Sequence, residues 1–165
     1  MSKRIRQYMG ILAAVSAYYA VHEGAHLLCA LIMGTFRRVN IMALGMQIDV
    51  YAECMTELQL GIFCAAGSVA TLAAAYILVW SADQICRVYS KIFKACMYYI
   101  TIAMLFLDPV YLSLLCGLFG GGDMNGIAML TSEFLAKLAY TGLFAANLAV
   151  FFKLVLPKYR YAFNE

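Results

Sequence analysis

Charge and proline are scarce in this sequence. Of its 165 residues, 13% are charged and two are proline. A water-soluble domain carries about 25% charged residues, so the composition excludes an ordinary soluble globular protein. Two prolines are too few for a Pro-rich linker. The formal net charge of +3 is small and the basic residues are scattered, so we expect no nucleic-acid partner.

Paired cysteines are also missing. The chain has six cysteines, and no two of them form a C-x-x-C motif. They are Cys29, Cys54, Cys64, Cys86, Cys96 and Cys116. Most fall in apolar segments, which predicts reduced packing residues and no cysteine-based redox or metal framework.

Apolar residues make up most of what is present. They account for 65% of the chain, and the mean hydropathy is +0.81. Four segments provide the roughly 20 apolar residues that cross a bilayer, at about 8–33, 58–80, 94–119 and 124–152. We therefore predict an all-α, multi-pass integral membrane protein. It should have about four transmembrane helices in a single membrane-embedded domain over residues 1–165.

The third apolar segment contains Asp108-Pro109. An unbroken helix through this segment would be about 40 Å long, whereas the hydrocarbon core is about 30 Å thick. Proline lacks the N–H that an interior helical residue donates. We therefore predict a break near residues 108–109, after which the chain folds back.

The stretch between the first two apolar segments has a different pattern. Residues 38–50 are rich in β-branched side chains and partly alternate between apolar and polar. This pattern predicts a short β-hairpin at the membrane surface, directly after the first helix.

Basic residues predict the orientation in the membrane. Nine lie in segments that an even number of spans puts on one side: Lys3, Arg4, Arg6, Arg87, Lys91, Lys94, Lys153, Lys158 and Arg160. The opposite side has only Arg37 and Arg38 in its flanks. Because cytoplasmic flanks are enriched in Lys and Arg, we expect both termini in the cytoplasm.

The only two histidines of the chain, His22 and His26, lie in the first apolar segment with Glu23 between them. On a helix, positions four apart share a face, so both imidazoles can bind one metal ion. This H-E-x-x-H pattern is typical of zinc hydrolases, in which the glutamate acts as general base. Ionisable side chains at bilayer depth are costly and are usually functional. The motif therefore predicts a zinc site within the membrane.

A catalytic zinc site needs a third protein ligand. Two aspartates are candidates on position alone. Asp108 lies about as deep in the third apolar segment as the histidines lie in the first. Asp123 follows a run of three glycines, and the chain after a break at Pro109 could bring it to the histidines.

Four segments, in order, are similar to one family of membrane proteins. His22-Glu23-Gly24-Ala25-His26 looks like H-E-x-G-H, with its glycine one place early, and residues 34–45 look like the membrane-associated strands that follow it. Residues 66–71 look like A-G-P-x-A-N, with Ser68 in place of proline and Thr71 in place of asparagine. Residues 123–127 resemble D-G-x-x-I, with the glycine displaced. The family is the site-2 proteases, which are intramembrane zinc metalloproteases.

This resemblance implies an activity and a set of site residues. The activity is hydrolysis of a peptide bond within or near a transmembrane segment of a membrane protein substrate. His22, His26 and Asp123 would bind Zn²⁺, with Asp108 as the alternative third ligand, and Glu23 would be catalytic. Substrate contacts would come from Asn125 and from the hairpin, at Ile41, Leu44 and Ile48.

Two questions stay open at the level of sequence. The distribution of basic residues places the site nearer the outer face, whereas the better-known members of the family place it nearer the cytosol. The sequence also leaves two other functions open. One is a non-enzymatic membrane zinc carrier or sensor, and the other is a four-helix membrane adaptor in which the motif is accidental.

Overall fold

The fold is mostly helical, with one short β-hairpin after the first helix. The structure is a computed structural model that describes residues 2–42, 45–118 and 122–164. The helices and strands are α1 (Lys3–Met33), β1 (Phe36–Met42), β2 (Gly45–Val50), α2 (Glu57–Trp80), α3 (Ala82–Arg87), α4 (Lys91–Val110), α5 (Asp123–Leu130), α6 (Glu133–Val150) and α7 (Leu156–Asn164). Short 3₁₀ turns lie at Ala52–Cys54 and Cys116–Leu118, and π-helical turns at Tyr111–Leu115 and Phe151–Val155.

Hydroxyl side chains define where several helices begin. The Thr56 hydroxyl accepts from the Gln59 backbone N–H at 3.2 Å, and the Thr56 N–H donates to the Gln59 side chain at 2.9 Å. This reciprocal pair is a capping box at the start of α2. Ser90 and Ser132 cap α4 and α6 in the simpler one-bond form.

Three helical stretches are long and apolar enough to cross a membrane: Glu57–Trp80, Lys91–Leu118 and Glu133–Asn164. Of the roughly four spans that we predict, three are therefore confirmed as helices that are long and apolar enough to cross a membrane. At 31 residues α1 is long enough, but His22, Glu23 and several tyrosines lower its hydropathy. That α1 crosses the membrane stays a prediction.

The predicted break at Asp108-Pro109 is wrong. Pro109 lies inside α4, and the helix continues through the π turn to Leu118. Proline cannot donate to the Leu105 carbonyl, but the buried side-chain amide of Asn147 on α6 donates to it at 2.6 Å. Helices in membranes tolerate proline where a neighbouring helix satisfies the freed carbonyl in this way.

The fourth predicted span, 124–152, is also wrong as a single helix. The structure divides it into α5 and α6, with Thr131 and Ser132 between them. Close packing holds α5 on α2, because a Cβ at Gly61 would lie 3.1 Å from the Gly126 carbonyl oxygen. The chain that follows α4 therefore returns to the bundle as a short helix before the last span begins.

The predicted β-hairpin is confirmed, whereas its position at the membrane surface stays a prediction. β1 and β2 pair antiparallel, with Val39 opposite Ile48 and Ile41 opposite Met46. The hairpin lies against α1, since a Cβ at Gly45 would sit 2.6 Å from the Tyr19 hydroxyl oxygen.

The interior of the bundle has two apolar clusters. The first, which we call the site half, includes Ile48, Phe63, Leu112, Met124, Ile127 and Tyr140. The second, the terminal half, includes Ala75, Val79, Met104, Leu105, Val155 and Tyr159. α1 packs along both α2 and α4, and α4 packs against α6, so these helices run through both halves.

The basic segments of the sequence meet at the end of the terminal half. Lys3 and Arg6 share a cavity with Arg160, and Lys158 on α7 forms an ion pair with Asp83 on α3 at 2.8 Å. The grouping of these segments at one end of the bundle matches the charge pattern. That this end faces the cytoplasm stays a prediction.

Candidate metal centre

His22 and His26 project from one face of α1 into the bundle. Both side chains are buried, at 8% and 3% exposure, as positions i and i+4 of a helix require. They face Gly67 of α2, where an added Cβ would lie 2.6 Å from His22 Cε1 and 2.6 Å from His26 Nε2. Only glycine leaves room for both imidazoles at this point of α2.

Asp123 completes a triangle with the two imidazoles. The Nε2 atoms of His22 and His26 are 3.1 Å apart. Asp123 Oδ2 lies 3.2 Å from the first and 3.4 Å from the second. A tetrahedral zinc ion, with bonds of about 2.0–2.2 Å, sets its ligand atoms about 3.3–3.6 Å apart. These three side chains could therefore hold a metal ion with only small adjustments.

The donor set restricts which metal fits. Two imidazole nitrogens and one carboxylate oxygen are typical of catalytic zinc sites, which keep a further position open. The same donors also suit other first-row transition ions such as Fe(II). They do not suit Mg²⁺ or Ca²⁺, which prefer oxygen ligands.

The backbone around α5 places Asp123 at this point. Gly122 has a φ of +49°, a conformation that favours glycine, and Asp123 is the first residue of α5. One turn later, Gly126 packs against Cys64 and the Leu60 carbonyl of α2. A larger side chain at position 126 would move α5 away from α2 and Asp123 away from the histidines.

A backbone carbonyl fixes the orientation of His26. His26 Nδ1 lies 2.8 Å from the Phe63 carbonyl oxygen, which can only accept, so Nδ1 carries the proton. Its Nε2 then presents a lone pair to His22 and Asp123. Metal-binding histidines are commonly held by such a contact on the second ring nitrogen.

Asp108 contacts the opposite side of His22. Its Oδ1 lies 3.3 Å from His22 Nδ1, although the geometry is not that of a hydrogen bond. Its carboxylate accepts hydrogen bonds from the Tyr18 hydroxyl at 2.5 Å and from the Thr71 hydroxyl. Because Nδ1 and Nε2 lie on different sides of the ring, Asp108 is not placed to share a metal with His26. The two candidate aspartates thus occupy different positions: Asp123 faces both Nε2 atoms and Asp108 supports His22 from behind.

Glu23 lies beside this triangle. As the next residue after His22, it leaves the helix about 100° around the axis. Its carboxylate is half-buried and lies near both imidazoles and Asp123. It also interacts with the backbone N–H of Ile48 in β2. The hairpin therefore borders the site on the side of Glu23.

The predicted substrate contacts lie in three different environments. Asn125 is exposed on α5, two residues beyond Asp123, and Ile41 is 83% exposed on β1. Ile48 is 5% exposed and belongs to the core of the site half, so its backbone rather than its side chain borders Glu23. Leu44 lies outside the described residues.

Sequence reasoning missed several residues that support the histidines. The hydroxyls of Tyr18 and Thr71 bind Asp108, and the Phe63 carbonyl binds His26. Tyr18 lies four residues before His22, and this helical spacing could have identified it. No sequence pattern indicates which backbone carbonyl on α2 meets His26.

Comparisons of this chain with protein-family models, with curated proteins and with solved structures found no match.

Proposed function

We propose that this protein is an intramembrane zinc metalloprotease, similar in its site to the site-2 proteases. The observation that carries the proposal is the triangle of His22 Nε2, His26 Nε2 and Asp123 Oδ2, with Glu23 beside it. An accidental histidine pair would have no need of a converging aspartate and a glycine that makes room for both rings. The apolar helices around the site support a substrate that is itself a membrane protein.

His22, His26 and Asp123 would bind the zinc ion. When bound, zinc supplies Lewis acidity, which activates a water molecule and stabilises negative charge on the scissile carbonyl. Glu23 acts as the general base: it accepts the proton that the attacking water loses. As the C–N bond breaks, Glu23 returns this proton to the leaving amine.

Asp108 acts through His22 and is a positioning residue. Its buried carboxylate is held by Tyr18 and Thr71, and it faces Nδ1 of His22. A negative charge at this point keeps the proton on Nδ1 and directs the Nε2 lone pair towards the metal.

Water and substrate would approach from the side of α5 and the hairpin. The Asp123 side chain is 25% exposed, whereas His26 is almost fully buried. One edge of β1 is not paired with β2. The side chain of Ile41 on the same strand is exposed. A substrate segment could unwind there and add as a strand beside β1. The unwinding would make its peptide bonds accessible for cleavage.

The first test is the metal content of the purified full-length chain. We expect about one zinc per chain in wild type and in Glu23→Gln, because Glu23 is not a ligand. His22→Ala and Asp123→Asn should lose zinc, whereas Asp83→Asn on the surface is the matched control and should keep it. Elemental analysis by mass spectrometry identifies the metal and its stoichiometry. Wild-type protein that holds no zinc after reconstitution would overturn the proposal.

The second test is proteolysis without a known substrate. Membranes from cells that express wild type or Glu23→Gln are labelled at new N-termini and analysed by mass spectrometry. Wild type should generate termini within transmembrane segments that Glu23→Gln does not. Identical termini in both, with zinc bound in both, would favour the non-enzymatic carrier or sensor.

A further inference from the structure

The end of the molecule opposite the metal centre has a cavity of about 440 Å³. It lies between the first turns of α1, the start of α4, and α7. Among the residues that the structure describes, the lining has three cationic side chains, Lys3, Arg6 and Arg160, and no acidic one. This volume falls within the usual range for small-ligand pockets, about 300–1,000 Å³.

These three cations have no anionic partner among the described residues. Ion pairs in that part of the chain involve other basic side chains, such as Lys158 with Asp83. Lys94, which lies near the cavity, donates to the Ala162 carbonyl at 2.8 Å. Holding like charges around one cavity is unfavourable unless an anion joins them, and phosphate oxygens suit Arg and Lys donors well.

The cavity lies where two candidate membrane spans end, and there we expect lipid headgroups. Two candidate spans end beside it: Lys91–Leu118 begins there and Glu133–Asn164 finishes there. Aromatic residues mark the same end of the bundle, since Trp80 is 87% exposed and Tyr89 is 98% exposed. Exposed Trp and Tyr are enriched where a membrane protein meets the headgroup layer.

The floor of the cavity is aromatic. Tyr98 packs on Tyr159 with ring centroids 5.1 Å apart, and Phe163 lies 6.3 Å from each of them. Tyr159 is 1% exposed, so the floor is fixed by the core of the terminal half. An aromatic floor below a cationic rim matches a molecule that has both a phosphate and an acyl chain.

We propose that this cavity binds the phosphate-bearing headgroup of an anionic phospholipid from the surrounding bilayer. The lipid would join α1 to α7 and so connect the helix of the metal centre to the last span. The site is separate from the protease proposal, because no contact in the described part of the chain joins its lining residues to His22, His26, Asp108 or Asp123.

The test uses the full chain in detergent with short-chain phosphatidylglycerol, phosphatidylcholine or inorganic phosphate as probes. Thermal unfolding is followed at increasing probe concentration for wild type, Arg6→Gln/Arg160→Gln and Arg4→Gln/Lys91→Gln. The last variant is the matched control, since it removes the same charge from α1 and from the same end of the bundle, outside the cavity lining.

Phosphatidylglycerol should raise the unfolding temperature of wild type and of the control in a saturable way. Binding to Arg6→Gln/Arg160→Gln should be about thirtyfold weaker, as expected when two basic residues near a lipid surface are removed. The proposal is overturned if both double variants weaken binding equally, because the effect is then general surface charge. It is also overturned if phosphate alone reproduces the shift, which would assign the cavity to a free anion, or if phosphatidylcholine acts like phosphatidylglycerol. All variants should keep their zinc, so failure here leaves the metal site untouched.

Discussion

The two halves of this helical bundle use their buried polar groups differently. Around the metal centre, polar side chains contact mainly one another: the Tyr18 and Thr71 hydroxyls donate to Asp108, and Asp123 Oδ2 lies beside the Nε2 atoms of both histidines. In the terminal half they bond mainly to backbone carbonyls. Lys94, Thr101 and Asn147 donate to Ala162, Met97 and Leu105 respectively.

We expect this difference to separate metal binding from stability. A polar side chain that satisfies a backbone carbonyl stabilises the backbone locally, as Asn147 does at Pro109, where its side-chain oxygen also accepts from the Tyr76 hydroxyl. Side chains that satisfy one another converge on a point and must be positioned together. Changes in the site half should therefore alter metal binding, and changes in the terminal half should alter unfolding.

The largest effect is expected from Gly67→Ala in the site half. The added methyl group would meet both imidazoles, so we expect loss of zinc from the purified protein. Gly142→Ala on α6 is the matched control, because a Cβ there meets nothing within 4 Å. Zinc content is measured for both, and about one zinc per chain in Gly67→Ala would contradict the site geometry.

Asp108→Asn should have a smaller effect on the same site. Loss of the charge behind His22 should weaken zinc binding about 10–100-fold, the usual cost of removing a partner of a metal-binding histidine. Competition with a chromogenic chelator measures the affinity, and Thr71→Val, which removes one donor to Asp108, should weaken it less. A complete loss of zinc would make Asp108 a direct ligand, and unchanged affinity would remove its positioning role.

Asn147→Ala should act on unfolding rather than on zinc. It leaves the Leu105 carbonyl without its donor, which costs about 1–3 kcal/mol of unfolding free energy. The cost should shrink when Pro109→Ala is also present, because that substitution restores a backbone N–H for the same carbonyl. Denaturant unfolding of wild type, the two single variants and the double variant measures the coupling free energy between Asn147 and Pro109. Strictly additive effects would show that the Asn147 contact does not compensate for Pro109.

The smallest effect is expected from Lys158→Ala at the rim of the terminal half. Its ion pair with Asp83 is partly solvent-exposed, so its loss should cost less than about 1 kcal/mol. Asp83→Ala should lower the unfolding free energy by a similar amount, as measured by denaturant unfolding. A larger loss in both would mean that the contact between α3 and α7 matters more than an exposed ion pair.

Local patterns predicted much of the fold. The long apolar segments became helices, and the β-branched stretch after the first became a hairpin. The failures lie at Pro109 and at residues 123–132. At Pro109 a distant side chain, Asn147, satisfied the carbonyl that proline leaves free. In the second region, packing of Gly126 on α2 separated a short helix from the last span.

By itself, the sequence determined that His22, Glu23 and His26 lie on one helix and that both imidazoles share a face, because helical periodicity depends only on neighbouring residues. It left two aspartates as possible partners. Only the tertiary structure decided between their positions, because the answer depends on contacts between residues far apart in the chain. Gly67 makes room for the rings, α5 docks on α2 to bring Asp123 to both Nε2 atoms, and the unbroken α4 holds Asp108 behind His22.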